Sequence, residues 1–303
     1  MKKIILSLLI VVMVIVLGVG LTACNSAKPE GQLSNLLSTH NHETFTYSIR
    51  VRDVKNDTYS SDPNSYYVAR LDAFKKGTPV PFGSRTLSDV SDGVRVTGEL
   101  VYGKTIYEMG CYYTLVSSTS YMVPAYSFLT VTEDGTKTYE MQGKYNGSTF
   151  ECDRVFGERT QQDSVKLSGT FFDNNQFQQI LRALPASTFS GGMNLTFSTP
   201  IANAYEFASA SLTAKGNSTE AIKVPYTDAS DQLNESGINC YRISLSRTTD
   251  VSGLSHTLYY AVDEVKCNGW GMKNILVKIV EPFDDENKQP FEMHYELKSV
   301  ELE

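Results

Sequence analysis

Four histidines, five cysteines and eighteen tyrosines are the side chains of this 303-residue sequence most able to carry chemistry. His40 and His42 flank Asn41, and two imidazoles at that spacing could turn toward a metal ion. A tetrahedral zinc site needs two further ligands, and no neighbouring Cys or Asp completes the set. No His-Glu-x-x-His run occurs, so zinc-protease chemistry is unsupported. His256 and His294 sit in alternating strand patterns and read as ordinary surface or packing residues. Serine is common, but there is no Gly-x-Ser-x-Gly elbow, and Ser-x-x-Lys does not occur with its partner motifs. Gly191-Gly192 is too short for a phosphate loop. Asp284-Asp285-Glu286-Asn287 could offer oxygen ligands to calcium, yet it lacks EF-hand spacing and reads as an acidic hairpin turn.

Four cysteines, Cys111, Cys152, Cys240 and Cys267, form an even set once Cys24 is set aside. Outside the cytoplasm they permit two disulfides in three connectivities. Cys240–Cys267 is the preferred pair, because the chain between them reads as a hairpin that folds back on itself. Cys111–Cys152 follows by elimination. Buried thiols acting as small apolar side chains are the alternative. The absence of C-x-x-C spacing disfavours a structural zinc site or a thioredoxin-like redox pair.

The aromatic residues are the better clue. Tyr66-Tyr67, Tyr112-Tyr113 and Tyr259-Tyr260 are adjacent pairs, accompanied by Tyr102, Tyr107 and the single Trp270. Neighbours on a strand point to opposite faces, so one ring of each pair can line a concave apolar surface. Tyr107, Tyr113, Tyr259 and Trp270 are the candidates for a groove that takes a lipid, an acyl chain or a peptide. The competing reading is that these rings fill a β core and its rim.

The elements that must position these residues are mostly strands. Phe45, Tyr47, Ile49 and Val51 alternate with Thr46, Ser48, Arg50 and Arg52, which is the period of a half-buried strand. Similar stretches follow at Tyr66–Leu71, Val94–Tyr102, Thr105–Leu115, Tyr126–Thr132, Thr138–Lys144 and Thr149–Cys152. Glu133-Asp134-Gly135-Thr136 is a hairpin turn signal, and Lys75–Ser84, rich in Gly and Pro, reads as a loop. One helix is expected over Phe172–Leu184, capped by Asp173 or Asn174 and stopped by Pro185. Beyond Gly191-Gly192, strands are expected at Met193–Ser198, Tyr205–Ala214, Glu220–Val224, Ile238–Arg247, Ser255–Val262, Ile275–Glu281 and Glu292–Leu302. Short strands at regular spacing, with no strand–helix alternation, imply an all-β, mainly antiparallel fold: a curved half-barrel or barrel-like sheet with one packed helix.

The net charge of −7 disfavours nucleic-acid binding, which needs a basic footprint. It also disfavours attachment by attraction to anionic lipid head groups. No cofactor is implied.

Lys2 and Lys3 precede a nearly unbroken apolar run from Ile4 to Val16, and small residues then lead to Leu21-Thr22-Ala23-Cys24. This segment resembles a bacterial lipoprotein signal with its lipobox. The resemblance implies cleavage before Cys24, acylation of its thiol and anchoring at the extracytoplasmic side of a cell membrane. The chain then divides into a signal peptide (1–23), a lipidated flexible tether (24–43) and one β-rich domain (44–303). An uncleaved membrane anchor is the alternative, although the apolar run is short for a full span. The second half is similar to a bacterial envelope family of unknown function. The matching stretches include Leu181-Arg182-Ala183-Leu184-Pro185, Leu195-Thr196-Phe197, Leu212-Thr213-Ala214-Lys215-Gly216, Cys240 to Leu245, Leu258 to Asp263 and Ile275 to Ile279. That resemblance implies an unclosed half-barrel like the lipoprotein carriers LolA and LolB, with an apolar concave face and a helix as lid. It carries over no catalytic residues, and Thr227–Gly237 is an insertion relative to it. The function expected is a non-enzymatic lipoprotein binding an apolar ligand on the concave face. A protein-interaction module and a hydrolase are the second and third readings.

Overall fold

The structure is a computed structural model that describes residues 41–116, 121–184, 195–203, 206–226, 237–247, 255–267, 269–285 and 287–303. The expected signal, Cys24, His40, most of the tether, Gly191-Gly192 and most of the Thr227–Gly237 insertion lie outside them. Alternation explains the first strand. In β1 (His42–Asp53), Phe45, Tyr47 and Ile49 are buried while Thr46, Ser48 and Arg50 are only half-buried. β1 pairs on one side with β3 (Tyr66–Phe74) and on the other with β19 (Pro290–Leu302), so the two ends of the described chain meet in the middle of the sheet. β2 (Thr58–Ser60) adds a short antiparallel partner to β1.

From β3 the sheet continues as a meander: β6 (Gly93–Tyr102), β7 (Thr105–Val116), β8 (Tyr121–Glu133), β9 (Thr136–Asn146), β10 (Thr149–Phe156) and β11 (Arg159–Lys166). The β8–β9 turn places both Asp134 and Gly135 at positive φ, as a tight two-residue hairpin turn requires. From β19 the sheet runs the other way through β18 (Leu276–Asp284), β15 (His256–Ala261), β14 (Ile238–Arg247), β13 (Phe207–Ile222) and β12 (Leu195–Ala202). Every pairing along this path is antiparallel. Two small hairpins stand apart, β4 (Val80–Phe82) with β5 (Arg85–Leu87) and β16 (Val265–Cys267) with β17 (Trp270–Met272). The first occupies part of the expected loop. Tyr205–Ala214 and Glu220–Val224, expected as two strands, fall largely within one long strand whose pairing is irregular between Gly216 and Thr219.

The sheet closes on itself. Phe171 bridges Ser198 in parallel, with Phe172 N–H donating to the Ser198 carbonyl and Ser198 N–H to Thr170, both at 2.9 Å. Arg154 on β10 donates to the carbonyls of Asn203 and Glu206 and stacks 5.3 Å from the Phe207 ring centroid. Phe150 packs on the same ring. The result is the expected barrel-like antiparallel sheet, nearly closed, with one short helix.

That helix departs from its expected length. Only Phe177–Ile180 (α1) is α-helical, followed by a 3-10 turn at Leu181–Ala183. Its N-cap is Gln176, with no side-chain cap. The reason lies in Asp173 and Asn175, whose side chains satisfy other partners. Asp173 Oδ1 accepts the Asn175 N–H at 2.8 Å, and Asn175 Nδ2 reaches the Phe128 carbonyl. Such local bonds compete with helix initiation.

The disulfide expectation is corrected. Cys111, Cys152, Cys240 and Cys267 are all buried thiols, not disulfides. Register shows why the first pair fails: Cys111 opposes Ser127, Ser127 opposes Gly143, and Gly143 opposes Cys152. Three strand spacings of about 4.8 Å place the two Cα atoms roughly 14 Å apart, about twice the reach of a disulfide. Cys240 sits inside the sheet between Glu220 and Ala261, whereas Cys267 belongs to the separate β16–β17 hairpin and accepts the Tyr226 hydroxyl at 3.2 Å.

Candidate functional site

The inner face of the barrel is occupied by the chain's own segment, residues 171–184. This plug carries an unusual run of polar residues, Asp173-Asn174-Asn175-Gln176, then Gln178 and Gln179 after Phe177. Buried polar groups demand partners, and the wall provides several of them, although Gln176 Nε2, Gln179 Oε1 and Arg182 Nε remain without one among the described residues. Tyr67 hydroxyl donates to Gln176 Oε1 at 3.1 Å, and Gln179 Nε2 donates to the Tyr47 hydroxyl at 3.3 Å. Tyr260 hydroxyl donates to the Gln178 carbonyl, and Tyr145 hydroxyl to Asp173 Oδ2 at 2.6 Å. Arg182 donates to Glu43 Oε2 at 3.0 Å inside the core and lies 5.0 Å from the Phe45 ring centroid. Gly98 leaves room for the plug, since a Cβ there would stand 2.4 Å from Gln176 Nε2. Burial pushes the Asp173 carboxyl up to about 6, against the hydrogen bonds from Tyr145, Ser127 and the Asn175 amide. Burial likewise pushes the Tyr67 hydroxyl up to about 12.

Where the plug meets the wall, a cavity of about 200 Å³ remains. Leu100, Met109 and Ile279 give it apolar lining, and Tyr67, Tyr295, Glu281 and His256 contribute polar groups from the strands. Asn174, Asn175 and Gln178 add amides from the plug. Tyr295 hydroxyl donates to Glu281 Oε2 at 3.0 Å, and His256 Nε2 lies 3.7 Å from Glu281 Oε1. His256 Nδ1 and Asn174 Oδ1 are buried with no hydrogen-bond partner among the described residues. Glu281 is one-third exposed and opens the cavity to solvent.

The four expected ligand residues do not share this surface. Tyr107 lies outside the cavity lining but shares a face of β7 with Met109, two residues on, and its hydroxyl is raised first by burial and then by the charges of Glu133 and Glu281. Tyr113 is 1% exposed and packed in the core. Tyr259 is half-buried on β15 and points away from Leu258 and Tyr260, its inward neighbours. Trp270 stands 55% exposed on β17. His256, read from sequence as an ordinary packing or surface residue, lines the cavity instead. Glu281, Tyr295 and the plug amides were not singled out. The signal that could have found them is the density of Asn, Asp and Gln in a segment whose apolar residues demand burial.

Other candidates serve the fold. His42 pairs with Asp72, which Arg95 also holds. His294 is pushed down by burial and bonds Glu292. Asp285 accepts the backbone N–H groups of Asn287 and Gln289 and so shapes the β18–β19 turn. Among the described residues no group of three or more His, Cys, Asp or Glu side chains converges as a metal site, and no helix is long and apolar enough to cross a membrane.

No protein-family model matches this chain, and no curated protein does. Among solved structures, it is similar to a β-barrel-like protein of a domain of unknown function from Brucella abortus. That similarity has a TM-score of 0.49 and 10% identity over 87% of this chain and 98% of the other. Immune modulator A of Aeromonas veronii aligns over 91% of this chain and 99% of its own, with 10% identity and a TM-score of 0.16.

Proposed function

We propose that this chain is a non-enzymatic, lipid-anchored binding module on the extracytoplasmic side of a cell membrane, held there through Cys24. In this reading it takes a small amphipathic ligand in the cavity between plug and wall. The observation that carries the reading is that cavity, with apolar lining on one side and orphaned polar atoms on the other. An acyl chain laid along an open concave face is less favoured, because the plug fills that face. At about 200 Å³ the cavity is smaller than the ~300–1,000 Å³ typical of drug-sized ligand sites, so it suits a head group or a short tail. The apolar part of the ligand would rest on Leu100, Met109 and Ile279, and its polar part would meet Glu281, His256 and Asn174. The His–Glu pair alone supports hydrolysis weakly, since none of the described lining residues is a Ser, Cys or Lys nucleophile.

The test is native mass spectrometry of the mature chain, with and without Ile279→Trp, which fills the cavity floor. A small co-purifying mass that disappears in the variant, with the fold shown intact by circular dichroism, is the expected result. A ligand retained by the filled variant would exclude this cavity as its site. For the anchor, a bacterial host fed labelled palmitate should incorporate the label into the wild-type chain and not into Cys24→Ala. Absence of label from the wild-type chain would end the lipoprotein reading.

A further inference from the structure

A second concavity lies elsewhere on the barrel. It is a groove of about 750 Å³ formed by β1, the loop from Ser61 to Tyr66, the chain just after β13, and β19. Its charges are arranged unlike those of the molecule as a whole. Glu296 is almost fully buried at its base, and one carboxylate oxygen accepts both Arg50 Nη2 at 2.5 Å and Lys278 Nζ at 3.1 Å. Two cations on one carboxylate leave an excess of positive charge. Asp62, the other acidic lining residue, is engaged by its own loop, accepting the Asn64 N–H at 2.9 Å and the Ser65 hydroxyl at 3.0 Å. Lys223 and Lys298 are exposed on the groove, and neither makes an ion pair among the described residues. Arg50 keeps a buried Nε–H with no acceptor, while its guanidinium is fixed 4.7 Å from the Tyr59 ring centroid. Arg50, Lys223, Lys298 and the neighbouring Lys278 stand against Asp62 and Glu296, so in a chain of net charge −7 the groove carries two more positive charges than negative ones.

We propose that this groove binds a phosphate-bearing anionic ligand, held by Lys223, Lys298 and the Arg50 guanidinium. Arginine provides a planar, directional fork for phosphate oxygens, and the two lysines add mobile point charges. Fixing Arg50 against Glu296 and Tyr59 lowers the ordering cost of that contact. The volume falls within the ~300–1,000 Å³ range of ligand pockets, which the interior cavity does not reach.

Binding is measured by microscale thermophoresis on the full-length chain at low salt. The probes are inorganic polyphosphate, short-chain dihexanoyl phosphatidylglycerol and, as the neutral-headgroup control, dihexanoyl phosphatidylcholine. At least one anionic probe should bind and the control should not. Lys223→Glu with Lys298→Glu should weaken that binding about tenfold or more, since charge reversal turns two attractions into repulsions. Lys223→Gln with Lys298→Gln should give a smaller loss in the same direction. Binding of polyphosphate alone identifies a free phosphate polymer or metabolite as the source, and preferential binding of phosphatidylglycerol identifies a lipid head group. No binding by either anionic probe, or binding undiminished in a doubly reversed variant that melts like wild type, overturns the proposal. Ile279→Trp should leave this binding intact, which separates the groove from the interior cavity.

Discussion

Asp173 illustrates how one buried residue couples this fold to pH. Its carboxyl lies among Tyr145, Ser127 and the Asn175 amide, and burial still lifts it to about 6 from 3.8. The folded-state value exceeds the unfolded one. The stability it contributes is therefore complete below about pH 4 and is lost as pH rises through about 6, amounting to about 3 kcal/mol. Asp173→Asn removes the titration while keeping a polar side chain beside Tyr145. We expect the stability of the variant relative to wild type to rise by about 3 kcal/mol between pH 4 and pH 7, read from urea midpoints at each pH. A difference independent of pH would show that Asp173 does not titrate in this interval. Neither the burial nor the titration is visible in the residue type, because an Asp before Asn-Asn reads equally well as a solvent-facing helix cap.

Among the elements, the plug is the one whose behaviour follows least directly from local pattern. Phe177, Ile180, Leu181 and Leu184 have helical spacing and all are buried. Gln176, Gln179 and Arg182 are buried among them and are hydrogen-bonded to Tyr67, Tyr47 and Glu43 of the barrel wall respectively, while Gln176 Nε2, Gln179 Oε1 and Arg182 Nε are left without a partner among the described residues. The match depends on space as well as hydrogen bonding. At Gly98 an added Cβ would also stand 2.9 Å from the Tyr67 ring. Gly98→Ala should therefore destabilise the protein by about 1–3 kcal/mol, as overpacking does. Gln176→Ala in the same chain should recover part of that loss in thermal or urea unfolding. If the double variant is merely the sum of two losses, Gly98 is not there for the plug.

For the molecule as a whole, closure is the decisive feature, and it rests on few contacts. Arg154 is 4% exposed and joins Asp163 at 2.6 Å to carbonyls from the chain between β12 and β13. Removing it leaves a largely buried carboxylate without its cation and opens the seam. Arg154→Ala should cost about 3 kcal/mol or more. Hydrogen exchange should accelerate first in β10 to β13, with β1, β3 and β19 remaining protected. Uniform loss of protection across the sheet would mean that the seam has no local stability of its own.

Sequence alone determined most of the long strands and the fold class, because alternation, turn residues and strand-forming composition are local signals with a period of two. β11, a mostly exposed and polar strand at the end of the sheet, carries no such alternation and was not expected. Ile238–Arg247 coincides with β14, and the Phe45–Val51 alternation falls inside β1. Tertiary structure decided everything that depends on which residues meet across distance. Cys111 and Cys152 look like partners in sequence, yet three strand spacings separate them. Tyr107 and Tyr113 occupy one strand, yet one is half-buried on the face of Met109 and the other is sealed in the core. His256 and Glu281 come from different strands and Asn174 from the plug, and they converge only because the sheet rolls up around a segment of its own chain. Rolling is a property of the whole sheet, set by strand number, register and twist, and no window of sequence short enough to read contains it.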